Sequence, residues 1–299
     1  MSELSTVGPW ARQKLDALEQ YLSAYTTIMK SQKWCKGYVY VDAFAGPGEH
    51  SLRQYPSAEA EGQILLTSFD DVPIDSAQIE FINGSPRVAL SLRFPFTHYV
   101  FIEMNYARAK ALKKLQSAFP DCDIRIRQSD CNEYLRDRLI GQGSEFWSKW
   151  RALVFLDPFG MQVPWSTIQG LAETNGVEIL INFPVGMAIQ RLLKRDGRFS
   201  PEEREKLDKN LGDSSWFDEI YETDQTLFGE DWRKVEQSGH KLVKWYRGNR
   251  LKTCFKFVSA ARLVRNTRGG HLYYLLHAGQ NETGHKIADR ILSQGEVIR

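Results

Sequence analysis

The sequence predicts an α/β protein in which helices cover both faces of a doubly wound, mostly parallel sheet. Short segments rich in β-branched and aromatic residues alternate with segments whose apolar residues recur at helical spacing. The five predicted strands cover residues 38–41, 98–103, 123–128, 150–156 and 176–183. Each of them ends in a polar or glycine cluster. Because ligands bind beyond the carboxyl ends of such strands, we expect the functional site along one edge of the sheet.

The composition predicts a single globular domain over residues 1–299. Apolar residues make up 42% of the chain and charged residues 25%, which excludes a disordered protein. With a net charge of +2, any affinity for nucleic acid must come from local patches. The sequence shows neither a signal-peptide pattern nor an apolar run of membrane-spanning length, so we expect a cytoplasmic protein with no membrane partner.

The cysteines predict reduced thiols rather than disulfides or a metal site. They are Cys35, Cys122, Cys131 and Cys254. None of them forms a C-x-x-C pair or keeps the spacing of metal ligands. This usage agrees with a reducing cytoplasm, where disulfides are rare.

The first predicted strand runs into the turn around which the chain is organised. Asp42 stands at the strand end, and Gly46 and Gly48 bracket a proline. Glycine lets the backbone approach a ligand closely because no Cβ stands in the way. We interpret this turn as a cofactor-binding loop formed by Asp42, Phe44, Gly46 and Gly48. The alternative is an ordinary strand-to-loop turn, since a short glycine pattern needs structural context.

Two further strand ends carry candidate cofactor ligands. Glu103 and Met104 follow the second strand, where a carboxylate accepts hydrogen bonds from ribose hydroxyls in nucleotide-binding sheets. Alternatively, Glu103 only stabilises the N-terminus of the next helix. Asp130 and Cys131 follow the third strand. Asp130 either binds an adenine amino group or caps the helix predicted over residues 132–139.

Three segments lie outside the alternating pattern. Residues 10–30 carry an apolar stripe at helical spacing, which predicts a helix packed on the sheet. Residues 49–75 predict a polar loop, a candidate lid over the cofactor, with a short helix beginning at residues 62–66. Residues 195–250 are charged, with aromatic anchors and a helical pattern. We interpret them as an inserted helical cap over the site.

The end of this insertion interleaves basic and aromatic residues. The cluster comprises Lys241, Lys244, Trp245, Arg247, Arg250 and Lys252. Such residues can grip phosphates and stack on bases, which makes the cluster a nucleic-acid candidate. The alternative is a solvated helix face whose aromatic rings belong to the core. Beyond it, residues 254–264 and 271–277 predict an antiparallel hairpin that closes the sheet.

The order of the strand-end motifs resembles that of class I S-adenosylmethionine-dependent methyltransferases. The motifs are residues 42–48, Phe101-Ile102-Glu103, Ser129-Asp130 and Asp157-Pro158-Phe159-Gly160. More narrowly, the chain resembles the three-Cys-motif partner (TcmP) family from about residue 15 to residue 292. The narrower resemblance rests on residues 38–48, Gly84-Ser85-Pro86, Asp157-Pro158-Phe159-Gly160 and Ile181-Asn182-Phe183-Pro184.

The resemblance implies a Rossmann-like sheet of seven strands with the last strand antiparallel. It implies S-adenosylmethionine as the cofactor and S-adenosylhomocysteine as the product. The implied cofactor site comprises Asp42, Phe44, Gly46, Gly48, Glu103, Met104, Asp130 and Cys131. The resemblance also implies a partner, encoded nearby, that carries a three-cysteine motif and is an iron–sulfur, radical-S-adenosylmethionine-like protein.

The motif at the end of the fourth strand is similar to the Asp/Asn-Pro-Pro-Tyr/Phe motif of amino-group methyltransferases. By that resemblance, Asp157 and Pro158 accept hydrogen bonds from a target NH2 group, and Phe159 stacks on the target. The sequence departs from the motif because Phe159 replaces the second proline and Gly160 replaces the aromatic residue. The alternative is that Asp157 and Pro158 only terminate the strand.

The sequence therefore predicts an S-adenosylmethionine-dependent methyltransferase that works with the three-cysteine protein. N-methylation of nucleic acid is the hypothesis for its reaction. The first alternative is a non-catalytic module with the same fold that binds the cofactor or the partner. The second is a nucleoside-binding enzyme of different chemistry, because a fold does not fix a function.

Overall fold

The computed structural model describes residues 5–7, 10–52, 80–226, 229–266 and 269–299. Its strands are β1 (Ser5–Val7), β2 (Gly37–Asp42), β3 (Glu49–Leu52), β4 (Glu80–Asn83), β5 (His98–Ile102), β6 (Ile124–Arg127), β7 (Trp150–Leu156), β8 (Val177–Phe183), β9 (Tyr221–Thr226), β10 (Gly229–Lys234), β11 (Phe257–Val258), β12 (Ala261–Arg265), β13 (His271–Gly279) and β14 (Val297–Ile298).

The helices of the described segments cover both faces of the central sheet. They are α1 (Trp10–Met29), α2 (Ser85–Leu90), α3 (Tyr106–Ala118), α4 (Cys131–Leu135), α5 (Ser144–Lys149), α6 (Trp165–Glu173), α7 (Gln190–Leu192), α8 (Pro201–Leu211), α9 (Trp216–Ile220), α10 (Ser238–Trp245), α11 (Lys252–Cys254) and α12 (Glu282–Leu292). The π-helical turns Arg136–Ile140 and Tyr246–Leu251 continue α4 and α10, and the π-helical turn Val185–Ile189 precedes α7.

The central sheet has the strand order β14-β12-β13-β8-β7-β2-β5-β6, and β11 pairs with β13. The five strands from β8 to β6 are parallel, whereas β13 runs antiparallel to both β8 and β12. The predicted mostly parallel sheet, its reversed last strand and the closing hairpin are therefore confirmed. The short strands β11 and β14 add to the seven that were expected.

The inner parallel strands β2, β5, β7 and β8 are buried on both faces, which explains why they are apolar along most of their length, whereas the edge strand β6 is partly exposed. Successive side chains of a strand point to opposite faces. Val41 and Val154 belong to one core, which also contains residues of α6, α8 and α10. Tyr40 and Leu153 belong to the other core, which also contains residues of α1, α3 and α12.

Helix α1 confirms the predicted N-terminal helix. Its stripe of buried residues includes Leu15, Leu18 and Leu22. Tyr21 is buried in the same helix, and its hydroxyl donates to Glu178 Oε2 at 2.5 Å. The same hydroxyl lies 2.9 Å from His277 Nε2. A buried polar network therefore ties α1 to the amino end of β8 and to β13, which adds specific bonds to its apolar packing.

The insertion at residues 195–250 is part helical and part β. Helix α8 begins at a capping box formed by Ser200 and Glu203, and α9 follows it. The prediction of a purely helical insertion is wrong for β9 and β10, which pair as an antiparallel hairpin. Their many charged residues hide the alternation that normally identifies a strand. Trp216 is fully buried in the core that covers the sheet, so the insertion packs as part of the same unit.

The segment after the glycine turn also differs from the prediction of a loop. Residues 49–52 form β3, which pairs with β4 and with β1. The predicted lid and the short helix at residues 62–66 otherwise lie outside the described residues. Within the described segments, no helix combines the length and the apolar character needed to cross a membrane.

Candidate functional site

Five strand ends bring polar side chains to one edge of the sheet. These ends carry Asp42 (β2), Glu103 (β5), Asp130 (β6), Asp157 (β7) and Asn182 (β8). The register sets Asp42 beside Phe101 of β5 and Phe155 of β7. The predicted location of the site, beyond the carboxyl ends of parallel strands, therefore matches the placement of these groups.

The glycine turn after β2 has the conformation that only glycine adopts easily. Gly46 has a φ of 61° and Gly48 a φ of 86°, in the left-handed region. A Cβ on Gly48 would lie 3.1 Å from Leu115 Cδ1, so the turn packs tightly on α3. The backbone of Ala45 donates to the carbonyl of Ile102 at 2.9 Å, which ties the turn to the end of β5. This arrangement leaves a backbone cradle without side chains at its tightest points.

Asp42 supports this turn from the protein interior. Its side chain is fully buried and accepts hydrogen bonds from the Phe44 backbone N–H and the Tyr40 hydroxyl, both at 3.3 Å. The pKa of Asp42 is raised to about 7, mainly by burial and also by the charge of Asp157, against the lowering effect of a hydrogen bond from Ser85. The carboxylate faces the protein interior, and the assignment of Asp42 to the cofactor site stays a prediction. The carboxylate acts by fixing the position of Phe44 and the glycines.

We expect the protein to lose stability as the pH rises towards 8, and Asp42→Asn to remove part of this loss. The pKa of Asp42 is raised from 3.8 to about 7, so the folded chain keeps a proton that the unfolded chain releases. This contribution, about 4 kcal/mol in all, is fully present below the unfolded pKa and is lost progressively as the pH rises from 3.8 to about 7. About 3 kcal/mol of it is lost between pH values of about 5 and 8. Denaturant unfolding at pH values of about 5 and 8 measures it.

The exposed Asp137→Asn variant serves as the control for Asp42→Asn, because Asp137 and its ion-pair partner Arg136 both lie on the surface. Asp137→Asn should keep the wild-type difference between the two pH values. If Asp42→Asn also keeps that difference, Asp42 is ionised in the folded protein across the whole range.

The carboxylates at the ends of β5 and β6 differ in their surroundings. Glu103 is half-exposed, and its Oε1 accepts from the Asn105 backbone N–H at 2.8 Å. Met104 beside it is 73% exposed. Asp130 caps α4, because its Oδ1 accepts from the backbone N–H groups of Asn132 and Glu133 at 2.8 and 3.1 Å. The capping role left open for Asp130 is therefore observed.

Cys131 is buried at the start of α4. Burial raises the pKa of its thiol to about 12. The Cys131 side chain therefore stays protonated and belongs to the core. Any contact of this residue with a cofactor would come from its backbone, which lies beside the Asp130 cap.

The end of β7 carries a cluster of charged and polar side chains that the sequence only partly indicated. Asp157 Oδ2 accepts from Lys14 Nζ at 2.5 Å, and Asp157 Oδ1 accepts from Asn182 Nδ2 at 2.5 Å. Asn182 stands in a strand-end motif but was not assigned a role. Lys14 was missed, although it lies seven residues before Tyr21 on the buried side of α1. A lysine in register with an apolar stripe was the signal that could have found it.

A pocket opens beside this cluster, lined by residues of β7, β8 and the insertion. Pro158, Gly160 and Asn182 line it at the strand ends. Phe183 and Tyr246 also line it, and their rings stack at a centroid distance of 4.5 Å and an angle of 22°.

The predicted stacking role of Phe159 is not supported by its placement. Its side chain is 57% exposed and is not among the residues that line this pocket. The aromatic rings that line the pocket are those of Phe183 and Tyr246. These two residues stand in other parts of the sequence, so the motif itself gave no sign of them.

The basic cluster of the insertion is divided by the fold. Trp245 is 3% exposed, so its predicted role in stacking on bases is wrong, and the alternative of a core aromatic is correct. Arg247 Nε donates to the Ser259 carbonyl at 2.6 Å, and Arg250 pairs with Asp213 at 2.7 Å. These two arginines support the fold itself. The exposed members of the cluster are Lys241, Lys244 and Lys252.

No protein-family model matches the chain, and no curated protein matches it in sequence. Similar solved structures include protein LPL1258 from Legionella pneumophila str. Philadelphia 1, at 12% identity and a TM-score of 0.45, covering 94% of this chain and 91% of that one. A putative O-methyltransferase from Klebsiella pneumoniae has 10% identity and a TM-score of 0.41, covering 88% and 80%. The N-terminal domain of EvdMO1 with SAH bound has 9% identity and a TM-score of 0.37, covering 87% and 81%.

At these identities and TM-scores, the fold assignment rests on the sheet itself. A mostly parallel sheet with helices on both faces and an antiparallel strand, β13, inserted between β8 and β12 is the Rossmann-like arrangement expected for class I methyltransferases. The fold of the chain is therefore of this class.

Proposed function

We propose that the protein is an S-adenosylmethionine-dependent methyltransferase. The observation that supports this proposal is the meeting of three features at the adjacent ends of β2, β5 and β6. These features are the positive-φ glycine turn, the half-exposed Glu103 and the helix-capping Asp130. A backbone cradle beside two carboxylates suits a ligand with ribose hydroxyls and an amino-bearing base, since carboxylates accept hydrogen bonds from both.

In this proposal, Gly46 and Gly48 hold the amino-acid end of S-adenosylmethionine, Glu103 its ribose, and Met104 and Asp130 its adenine. When bound, S-adenosylmethionine supplies an activated methyl group and leaves as S-adenosylhomocysteine. Asp157 accepts a hydrogen bond from the acceptor N–H and takes up the proton that the nitrogen loses. Lys14 and Asn182 hold the carboxylate of Asp157 in one orientation, and two of its lone-pair positions stay available. Transfer then depends mainly on positioning and exclusion of water.

Calorimetric titration with S-adenosylhomocysteine tests the cofactor site. We expect saturable binding to the wild-type protein and at least about tenfold weaker binding to Glu103→Ala, because a hydrogen bond to a charged group is removed. Glu145→Ala is the matched control, because Glu145 precedes the amino end of β7 and its side chain is largely exposed. Absence of binding to the wild-type protein contradicts the cofactor proposal. Equal affinities of the Glu103→Ala and Glu145→Ala variants contradict the assignment of Glu103.

The nucleic-acid substrate and the three-cysteine partner are proposals of finer detail. The exposed Lys241, Lys244 and Lys252 support the first, and the motif resemblance supports the second. Phosphate contacts through these lysines would give binding that weakens steeply with salt. Co-expression with a three-cysteine protein encoded nearby, followed by a search for transferred methyl groups, tests the partner. Cofactor binding without any transfer would favour the non-catalytic module.

A further inference from the structure

A pair of histidines joins the insertion to the central sheet. His240 lies in α10 of the insertion, and His271 begins β13. The centroids of their rings are 4.8 Å apart, and the rings meet edge to face at an angle of 68°. Both side chains are half-buried. Neutral aromatic rings favour this geometry, but it also places two groups that can each take up a positive charge side by side.

Tyr274 connects this histidine pair to the pocket beside Asp157. Its side chain is fully buried, and its ring centroid lies 5.8 Å from that of His240 and 6.3 Å from that of His271. Its hydroxyl oxygen lies 3.4 Å from His271 Nδ1. In the antiparallel pairing of β13 with β8, Tyr274 stands opposite Phe183, which lines the pocket. The histidine pair is therefore one strand away from the pocket wall.

The first turn of α10 also packs on a second part of this wall. The π-helical turn Val185–Ile189 follows Pro184, and both Pro184 and Ile189 line the pocket. Gly239 of α10 lies so close to this turn that a Cβ on it would be 2.9 Å from Val185 Cγ1. The contact between α10 and β13 therefore helps to keep this part of the wall in place.

The charged neighbours of His271 do not offset a second positive charge. Arg265 of β12 and Glu296, which precedes β14, bind each other through two hydrogen bonds of 2.8 and 2.7 Å. The Glu296 carboxylate is thus already shared with a guanidinium group. Tyr274 stays neutral, because burial raises the pKa of its hydroxyl above its ordinary value. With both His240 and His271 protonated, three cations would share this single carboxylate.

The surroundings of His271 favour its neutral form. The pKa of its imidazole is lowered, mainly by burial and also by the charges of Arg265 and His240, against the raising effect of Glu296. The folded protein therefore binds this proton less well than the unfolded chain does. The stability of the neutral contact is fully present above the unfolded pKa of about 6.5. It is lost as the pH falls from there through the lower pKa of the folded state.

We propose that His240 and His271 form an acid-sensitive clamp between the insertion and the sheet. At neutral pH, the uncharged rings hold the first turn of α10 against β13. In mild acid, the two charged imidazoles repel each other, and this turn separates from β13 and from the π-helical turn. The pocket wall at Pro184 and Ile189 then loosens. The proposal goes beyond the proposed function, because the clamp acts on the wall of the site whatever reaction the site performs.

Hydrogen exchange at single amides tests the clamp without any methyl transfer. The reporters are the N–H groups of Lys241, in α10, and Ile189, in the π-helical turn, which both donate to backbone carbonyls. We expect their protection factors, corrected for the intrinsic effect of pH, to fall at least about tenfold between pH values of about 7.5 and 5. The Ala109 N–H of α3 is the reference and should stay protected. No fall at the reporters, or an equal fall at Ala109, overturns the proposal.

Two variants test whether the histidine charges cause the fall in protection. His240→Gln and His271→Gln each remove one charge and should limit the fall to less than about threefold. His98→Gln is the matched control and should keep the wild-type fall, because His98 is half-buried but pairs with Asp123 at the amino end of β5. A fall of wild-type size in either the His240→Gln or the His271→Gln variant overturns the proposal.

NMR titration of the imidazole C–H signals provides a measurement that does not depend on opening of the clamp. In His240→Gln, the titration midpoint of His271 should rise by at least about half a pH unit, because a neighbouring like charge is removed. The His98→Gln variant should leave this midpoint unchanged. An unchanged His271 midpoint in His240→Gln would show that the two rings titrate independently, which excludes the clamp.

Discussion

Asp157→Asn is expected to lower the rate of methyl transfer about 10³-fold while changing the affinity for S-adenosylhomocysteine by less than about threefold. The loss follows because an amide oxygen is too weak a base to take up the proton from the acceptor nitrogen, so the proton acceptor is removed. Affinity should be retained because the proposed cofactor contacts lie at the ends of β2, β5 and β6. Single-turnover transfer and calorimetry measure the two quantities separately.

Two variants separate a chemical role of Asp157 from a structural one. Asp157→Asn leaves Lys14 without its partner in a half-buried position, which itself costs stability. The double variant Lys14→Met/Asp157→Asn removes this unpaired charge and should recover thermal stability without recovering activity. The exposed Asp137→Asn controls for loss of a carboxylate. Recovery of activity in the double variant would show that Asp157 matters only by pairing with Lys14.

Gly186→Ala is expected to destabilise the protein by about 3 kcal/mol or more. A Cβ at Gly186 would overlap the carbonyl oxygen of His271 in β13. The atoms nearest to this Cβ belong to the backbone, so no flexible side chain can move aside to make room for it. Overpacking a rigid contact costs this much or more. Gly186 lies in the π-helical turn directly after Pro184, so the strain falls on the end of β8 that carries Asn182 and Phe183. Thermal and denaturant unfolding measure the loss.

Gly248→Ala is the matched control for Gly186→Ala. Gly248 also lies in a π-helical turn, and a Cβ there would have no neighbour within 4 Å. Alanine should be neutral or slightly stabilising at this position, because it favours helical backbone over glycine. Equal stability of the two variants would show that β13 can move away from the turn, and would exclude a rigid contact at His271.

The strand ends could be predicted because burial and chain direction leave clear patterns in sequence. A strand covered on both faces is a short apolar run, and the polar residue at its end marks where it stops, as at Asp42 and Asp157. The hairpin of β9 and β10 was not predictable in this way, because half-exposed strands rich in charge imitate a helical surface. Trp245 was ambiguous, since a ring beside lysines suits both a core and a binding face.

The side chains that complete the site could not be predicted because they come from distant parts of the chain. Lys14 approaches from the N-terminal helix, and Tyr246 comes from the insertion. Nothing local in the sequence tells that these positions converge, since only the packing of helices against the sheet brings them together. Conversely, Phe159 was assigned a stacking role because it follows Asp157 and Pro158 in the strand-end motif, but its side chain is exposed.

Helix α1 makes polar contacts at both the carboxyl end and the amino end of the parallel strands. Lys14 meets Asp157 beyond the carboxyl end of β7, and Tyr21 meets Glu178 at the amino end of β8. The two residues are two helical turns apart, about 10 Å along the axis. A shift of α1 along its axis by one turn would break both contacts together. The buried Tyr21 therefore fixes the axial position of the helix at which Lys14 reaches Asp157. A substitution that disrupts the hydrogen bonds among Tyr21, Glu178 and His277 would therefore shift the Lys14 ammonium relative to Asp157, at the opposite end of the sheet.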